Sequence, residues 1–192
     1  MKEQVRGTVE MTAAMTILGT IGWFVVMADR PAMDVVFWRC FFGALSLLVI
    51  CATMGLLRGL LNVRMLGWAA LGGVAIVTNW YMLFQSYSMA SISVSTAVYN
   101  TQPFMLVLFG AAFFGEKLTI NKFAWLGIAF AGLLLIISGK PRGGLGGSDY
   151  AGGILMALGA AFFWATAAII TKKLKGTPPH LIALVQVCIG IV

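Results

Sequence analysis

The side chains best suited to binding chemistry in this sequence are amides and phenols gathered in two neighbouring apolar stretches. They are Asn79, Tyr81 and Gln85 in the first stretch, and Tyr99, Asn100 and Gln102 in the second. Such groups both donate and accept hydrogen bonds, so together they suit a small polar or zwitterionic solute. We therefore predict that these six residues bind substrate.

Covalent and metal chemistry find little support. His180 is the only histidine and lies in a loop beside two prolines, and Cys40, Cys51 and Cys188 lie in apolar stretches without metal-ligand spacing. No glycine-rich phosphate loop precedes a helix. Without a nucleophile, base and orienting group in one place, we expect no enzyme activity, no cofactor and no metal.

The elements that carry these residues are membrane spans. Six apolar runs fill most of the 192 residues, and a seventh begins near the end; they cover residues 11–28, 35–57, 66–88, 92–115, 123–139, 154–171 and 181–192. A helix needs about 20 mostly apolar residues to cross the bilayer, where only internal hydrogen bonds satisfy the backbone. The fold class predicted is an all-α polytopic membrane protein, with the lipid bilayer as a partner.

The basic residues predict the orientation of these spans. Alternating directions place nine of the 13 lysines and arginines on the side of the N-terminus and four on the other side, counting Arg39 just inside the second span. This bias predicts a cytoplasmic N-terminus in a bacterial-type inner membrane. The net charge of +7 is thereby explained as a topology signal, and nucleic-acid binding is not expected.

The order of the spans suggests two repeats. A glycine-rich linker at 140–149 separates a five-helix block at 1–139 from a second block at 150–192. After an odd number of spans, a copy of the first block would be inverted in the membrane. Pro31, Arg39 and Gly43 share their spacing with Pro178, Gln186 and Gly190, although coincidence also explains one such match in a glycine-rich chain.

The polar residues of the third and fourth spans allow two interpretations. Tyr81 and Gln85 share a helix face, and Tyr99 and Gln102 share another, from the midplane outward. They either hydrogen-bond the two helices to each other or line a solute cavity. Pro103 lies mid-span and deprives the Tyr99 carbonyl of its helical donor, which predicts a helix kink at this depth.

Two charged residues are candidates for gating or coupling. Glu10 begins the first span, where it either carries protons or is held by the helix dipole and headgroup water. Arg39 lies just over one turn into the second span, where it either snorkels to the surface or attracts anionic groups.

Several segments resemble EamA-type members of the drug/metabolite transporter superfamily. They are 37–44 (FWRCFFGA), 97–103 (AVYNTQP), 113–119 (FFGEKLT) and 125–132 (WLGIAFAG). The resemblance implies ten helices in two inverted five-helix repeats, a central cavity and alternating access for amino acids, other metabolites or drugs, often exported. Because the chain ends inside the seventh span, we expect it to be a fragment.

A seven-helix sensor or receptor without transport activity is the alternative function. A retinal-type receptor would need a lysine in its last helix, and none occurs up to Val192. Further hydrophobic spans beyond that residue would favour a transporter. The residue pattern predicts no oligomeric state.

Overall fold

The computed structural model describes residues 2–57, 62–115 and 148–191, together with residues 124, 127–128, 130–132 and 135. The helices named along this part of the chain are α1 (Lys2–Met27), α2 (Ala32–Thr53), α3 (Val63–Ala90), α4 (Ile92–Tyr99), α5 (Gln102–Phe114), α6 (Ser148–Lys173) and α7 (Pro179–Ile189). No strand occurs among these residues.

Four of the helices are long and apolar enough to cross a membrane. They are α1, α2, α3 and α6, which correspond to the first, second, third and sixth predicted spans. The all-α, multi-pass membrane architecture expected from the sequence is therefore present in the described residues. The predicted fifth span at 123–139 and the linker at 140–149 lie largely outside them, and α6 begins two residues inside that predicted linker.

A very tight turn joins α3 to α4. Ser91 alone separates the two helices, with φ of 75° and ψ of 152°. A positive φ is unusual for a residue with a side chain, and here it reverses the chain within one residue. As a result, the polar end of α3 is followed directly by the polar beginning of α4.

Helix α3 is the centre of the bundle, and α6 packs antiparallel along it. The α6 face toward α3 consists of small residues: Gly153 approaches Ala90, Gly159 approaches Met82, and Ala157 and Ala161 are fully buried. Small side chains let helix backbones approach closely where lipid supplies no hydrophobic driving force. The small-residue ridge of α6 is thus a packing surface.

Helix α7 crosses α3 at two glycines. A Cβ atom on Gly73 would lie 2.9 Å from the Gln186 carbonyl oxygen, and one on Gly72 would lie 2.7 Å from the Gln186 amide nitrogen. Gly190, directly after the end of α7, approaches Cys40 of α2. Helix α7 therefore packs between α2 and α3, near the point where the polar half of α3 begins.

Helix α1 is the least embedded of the long helices. Its tightest glycine contact is Gly22, where an added Cβ would lie 3.1 Å from the Ile92 side chain and 3.5 Å from the Tyr87 hydroxyl oxygen. Nearly all other α1 side chains are exposed. Many of these exposed side chains are apolar, as suits a helix that crosses a membrane.

Candidate solute site

The predicted fourth span is broken in its middle. Helix α4 ends at Tyr99 and α5 begins at Gln102. Across the break, the Thr101 N–H donates to the Val98 carbonyl at 3.0 Å, and the Phe104 N–H donates to the Thr101 carbonyl at 3.0 Å. Pro103 has no N–H, so the Tyr99 carbonyl lacks the donor that a continuous helix would provide.

Two buried polar atoms at this break have no partner. Thr101 is 8% exposed, and neither its hydroxyl oxygen nor the Gln102 carbonyl oxygen, Oε1, makes a hydrogen bond in the described part of the protein. Leaving a buried polar group unsatisfied costs about 1–3 kcal/mol. A solute or water that reached the break would recover that free energy.

Thr101 was not among the residues predicted from the sequence. Its position between Asn100 and Gln102, two residues before Pro103, was the available signal. Residues next to a proline break lose their helical environment, so their polar side chains become available to other partners.

Asn79 and Tyr99 are the two predicted site residues that the structure brings together. The Asn79 amide nitrogen, Nδ2, lies 3.2 Å from the Tyr99 hydroxyl oxygen and donates to the Ala160 carbonyl at 2.6 Å. Asn79 is fully buried. Its side chain therefore ties α3 to both α4 and α6, as the interhelical hydrogen-bond interpretation expects, and it fixes the position of the Tyr99 ring.

Nearer the α3–α4 turn, further bonds join the same two helices. Ser95 donates from its hydroxyl to the Ser86 carbonyl at 2.9 Å, and Tyr87 is hydrogen-bonded to Thr96. These hydroxyls have partners within the bundle. They hold α3 and α4 together at the end opposite the break.

The remaining predicted residues carry uncommitted polar groups. Tyr81 and Gln85 are half-buried on α3, and Asn100 is exposed at the break. Among the described residues, the Tyr81 phenol and the Gln85 and Asn100 amides make no side-chain hydrogen bond. The polar set thus divides into side chains that bond the helices to each other and side chains that have no partner among the described residues.

Arg39 lies inside the bundle against aromatic rings. The guanidinium carbon is 4.3 Å from the centre of the Trp80 ring and 6.0 Å from that of Phe84, and Trp80 packs against the same buried cluster as Tyr99. A cation over an aromatic ring is stabilised by about 0.5–2 kcal/mol, and the stabilisation is larger when the pair is buried. Arg39 makes no ion pair within the described ranges, so its charge has aromatic neighbours and no described counter-ion.

Trp80 and Phe84 were not predicted as partners of Arg39. Their spacing of four residues places them on one face of α3. Which face turns toward α2 depends on helix packing, and hydropathy does not encode it. A stripe of two aromatic residues was the only available signal.

Glu10 lies away from this region. Its carboxylate accepts from Arg6 at 2.7 Å, and the two side chains are 63% and 81% exposed. Along α1, Glu10 is about 18 Å from Gly22, the residue that contacts Tyr87, given a rise of about 1.5 Å per residue. Among the described residues, no group of three His, Cys, Asp or Glu side chains is placed to hold a metal ion.

Comparison with known proteins gives a family and two relatives. The model of the EamA-like transporter family matches residues 7–138. The chain is 27% identical to an uncharacterized transporter, YxxF, of Bacillus subtilis (strain 168), across all of this chain and 61% of that protein. It is 28% identical to an uncharacterized transporter of Haemophilus influenzae, across 72% of this chain and 46% of that protein.

The chain therefore spans less than two thirds of the length of these relatives. No solved structure matches it.

Proposed function

Since the chain belongs to the EamA-like transporter family, we propose that it moves small organic solutes by alternating access, as a secondary transporter of the inner membrane. The proposed direction is export, with the N-terminus in the cytoplasm. The complete transporter would contain ten helices in two inverted repeats, of which 1–139 is the first and 150–192 begins the second, joined by the linker at 140–149.

The observation that carries this proposal is the polar break in the fourth span. Thr101 and Gln102 hold buried oxygen atoms without partners, and Asn100 beside them is exposed. Broken membrane helices lend polar groups to solute sites in many secondary transporters, at the depth where alternating access must operate. We assign solute contacts to Asn100 and Gln102 at the break, with Tyr81 and Gln85 as further contacts on α3, between the break and the α3–α4 turn.

Asn79 and Tyr99 have linked roles in this proposal. Asn79 is fully buried and bonded to the Ala160 carbonyl, so it acts by holding Tyr99 rather than by reaching the solute itself. Tyr99 ends α4 immediately before the break. Its ring then presents a flat apolar surface and a hydroxyl to the solute, which Pro103 assists by keeping the span discontinuous.

The solute class follows from Arg39. Its guanidinium lies over Trp80, and Trp80 and Tyr99 pack against the same buried cluster. A guanidinium binds a carboxylate with paired, charge-assisted hydrogen bonds. Amides, aromatic rings and one cation together suit an amphipathic solute that bears a carboxylate, such as an amino acid.

Transport by the full-length protein tests the proposal. Asn100→Ala and Gln102→Ala should each lower amino-acid efflux about tenfold, since loss of one hydrogen bond to a charged or buried partner costs about 1.5 kcal/mol. Ser93→Ala is the matched control, because Ser93 is exposed on α4 of the same span. Normal membrane levels of all three variants exclude a folding defect.

Undiminished efflux in both variants would remove the break from the solute pathway.

A further inference from the structure

A cluster of cations surrounds a pocket between the beginning of α3 and the turn that joins α6 to α7. The pocket has a volume of about 340 Å³, and its polar and aromatic lining consists of Asn62, Arg64, Trp68, Lys173, Lys175 and Thr177. It lies at the opposite end of α3 from the Ser91 turn. This pocket is separate from the proposed solute site.

The charge of the pocket is one-sided. Arg64, Lys173 and Lys175 line it, and none of the described carboxylates does. Arg6 and Glu10 form an ion pair on α1, and neither residue lines this pocket. Three cations around one concavity repel each other, and that repulsion is relieved when an anion binds among them.

One of these cations is held in place by an aromatic ring. The Lys173 ammonium nitrogen lies 4.7 Å from the centre of the Trp68 ring. A ring under an ammonium group limits where the charge can point without neutralising it. Asn62, which also lines the pocket, is likewise fixed, since its side-chain oxygen accepts from the Met65 N–H at 3.2 Å.

The position of the pocket suits a group at the membrane surface. Trp68 lies near the start of a membrane-crossing helix and Lys173 at the end of another, the level at which tryptophan and lysine anchor helices in the headgroup layer. Basic pockets between helices at this level bind the head groups of anionic lipids. Beneath the charges, Met65 and Leu174 are buried and form an apolar floor.

We infer that this pocket binds a phosphate group, supplied either by an anionic phospholipid or by a soluble phosphate. Arg64 and Lys173 provide the charge-assisted hydrogen bonds, and Lys175 adds to the local positive potential. Val63 and Leu66 at the same end of α3 are exposed apolar side chains, so a phospholipid can place its phosphate among the cations and its acyl chains along this face of α3. The site does not depend on the proposed solute or on the direction of transport.

Native mass spectrometry of the full-length protein tests this inference. Purified protein is exposed to equal amounts of phosphatidylglycerol and phosphatidylcholine, with and without excess inorganic phosphate. We expect preferential retention of phosphatidylglycerol, weakened about fivefold for each cation removed, and therefore about 25-fold in the double variant Arg64→Gln/Lys173→Gln. Lys173→Arg should retain the lipid, since it keeps the charge.

Arg30→Gln is the control. Arg30 is an exposed cation in the loop between α1 and α2, so this variant removes one positive charge outside the pocket. It should leave retention unchanged. Displacement of phosphatidylglycerol by inorganic phosphate, dependent on Arg64 and Lys173, would identify a soluble phosphate as the source, whereas resistance to displacement would identify the lipid. The inference is overturned if the double variant binds phosphatidylglycerol and inorganic phosphate as the unsubstituted protein does.

Discussion

The crossing of α7 over α3 makes Gly73→Ala a sharp test of how the bundle is held together. A Cβ atom at Gly73 would lie 2.9 Å from the Gln186 carbonyl oxygen and 3.0 Å from the Gln186 Cα. Both atoms belong to the α7 backbone, so no side-chain rotation relieves the overlap. Helix α7 must move as a unit, and the 3.2 Å hydrogen bond from Gln186 to Thr171 of α6 is strained with it.

The expected loss of stability in Gly73→Ala follows from a comparison with Gly67→Ala on the same helix. Forcing extra volume into a packed contact costs about 1–3 kcal/mol, whereas replacing glycine by alanine in a helix gains up to about 1 kcal/mol. Gly67 has no atom within 4 Å of an added Cβ, so Gly67→Ala should receive only the gain. Gly73→Ala should therefore be about 1–3 kcal/mol less stable than Gly67→Ala.

The assay is unfolding of the full-length protein in mixed micelles by titration with sodium dodecyl sulfate, followed by far-ultraviolet circular dichroism. Comparing the two alanine variants cancels the helix-propensity term that they share. Equal free energies of unfolding for Gly73→Ala and Gly67→Ala would refute the close α3–α7 crossing.

Three further predictions concern the polar and charged residues. Asn79→Leu should lower the free energy of unfolding by about 1–2 kcal/mol, because interhelical hydrogen bonds in membranes contribute about 0.6–1.7 kcal/mol each. The control Thr166→Val removes a hydrogen bond within α6 only and should change the free energy of unfolding little. Equal effects of the two substitutions would contradict the role of Asn79 in joining helices. Arg39→Gln should raise the KM for a carboxylate-bearing solute at least tenfold while leaving transport of its amide analogue unchanged, since only the carboxylate binds the guanidinium strongly. An equal loss of transport for the two solutes would show that Arg39 does not distinguish a carboxylate from an amide. Glu10→Gln should leave transport intact and change the free energy of unfolding by less than about 1 kcal/mol, because exposed ion pairs contribute little to stability. Loss of pH-driven transport at normal membrane levels would instead assign proton coupling to Glu10.

The membrane-crossing helices could be predicted from the sequence because hydropathy and length are local properties. An apolar run either reaches about 20 residues or does not, and α1, α2, α3 and α6 were all predicted on that basis. The break at Pro103 was also accessible, since a missing N–H is a covalent property of proline.

Partners across helices could not be predicted in the same way. Asn79 bonds the Ala160 carbonyl, and every residue of a sequence has a carbonyl, so residue type does not single this one out. Arg39 pairs with Trp80 because of how α2 and α3 rotate against each other. Those rotations are set by small-residue packing over the whole bundle, which no single segment of sequence contains.

The proposed roles of the six predicted site residues accordingly differ in kind. Asn79 was predicted as a solute ligand, but its complete burial favours a positioning role. Gln102 was predicted on the same grounds, and its unpartnered oxygen supports the solute role. Only the contacts of each side chain separate the two cases.

The central claim is that the break at Asn100–Pro103 borders an aqueous solute pathway, and cysteine accessibility at Gln102 tests it most directly. In the full-length protein with every cysteine, including Cys40, Cys51 and Cys188, replaced by alanine, Gln102→Cys should react with a membrane-impermeant methanethiosulfonate reagent, and solute should slow the reaction. Leu108→Cys, on the exposed apolar surface of α5, should stay unreactive. A Gln102→Cys thiol as inert as that at position 108, from both sides of the membrane and throughout transport, would contradict the claim.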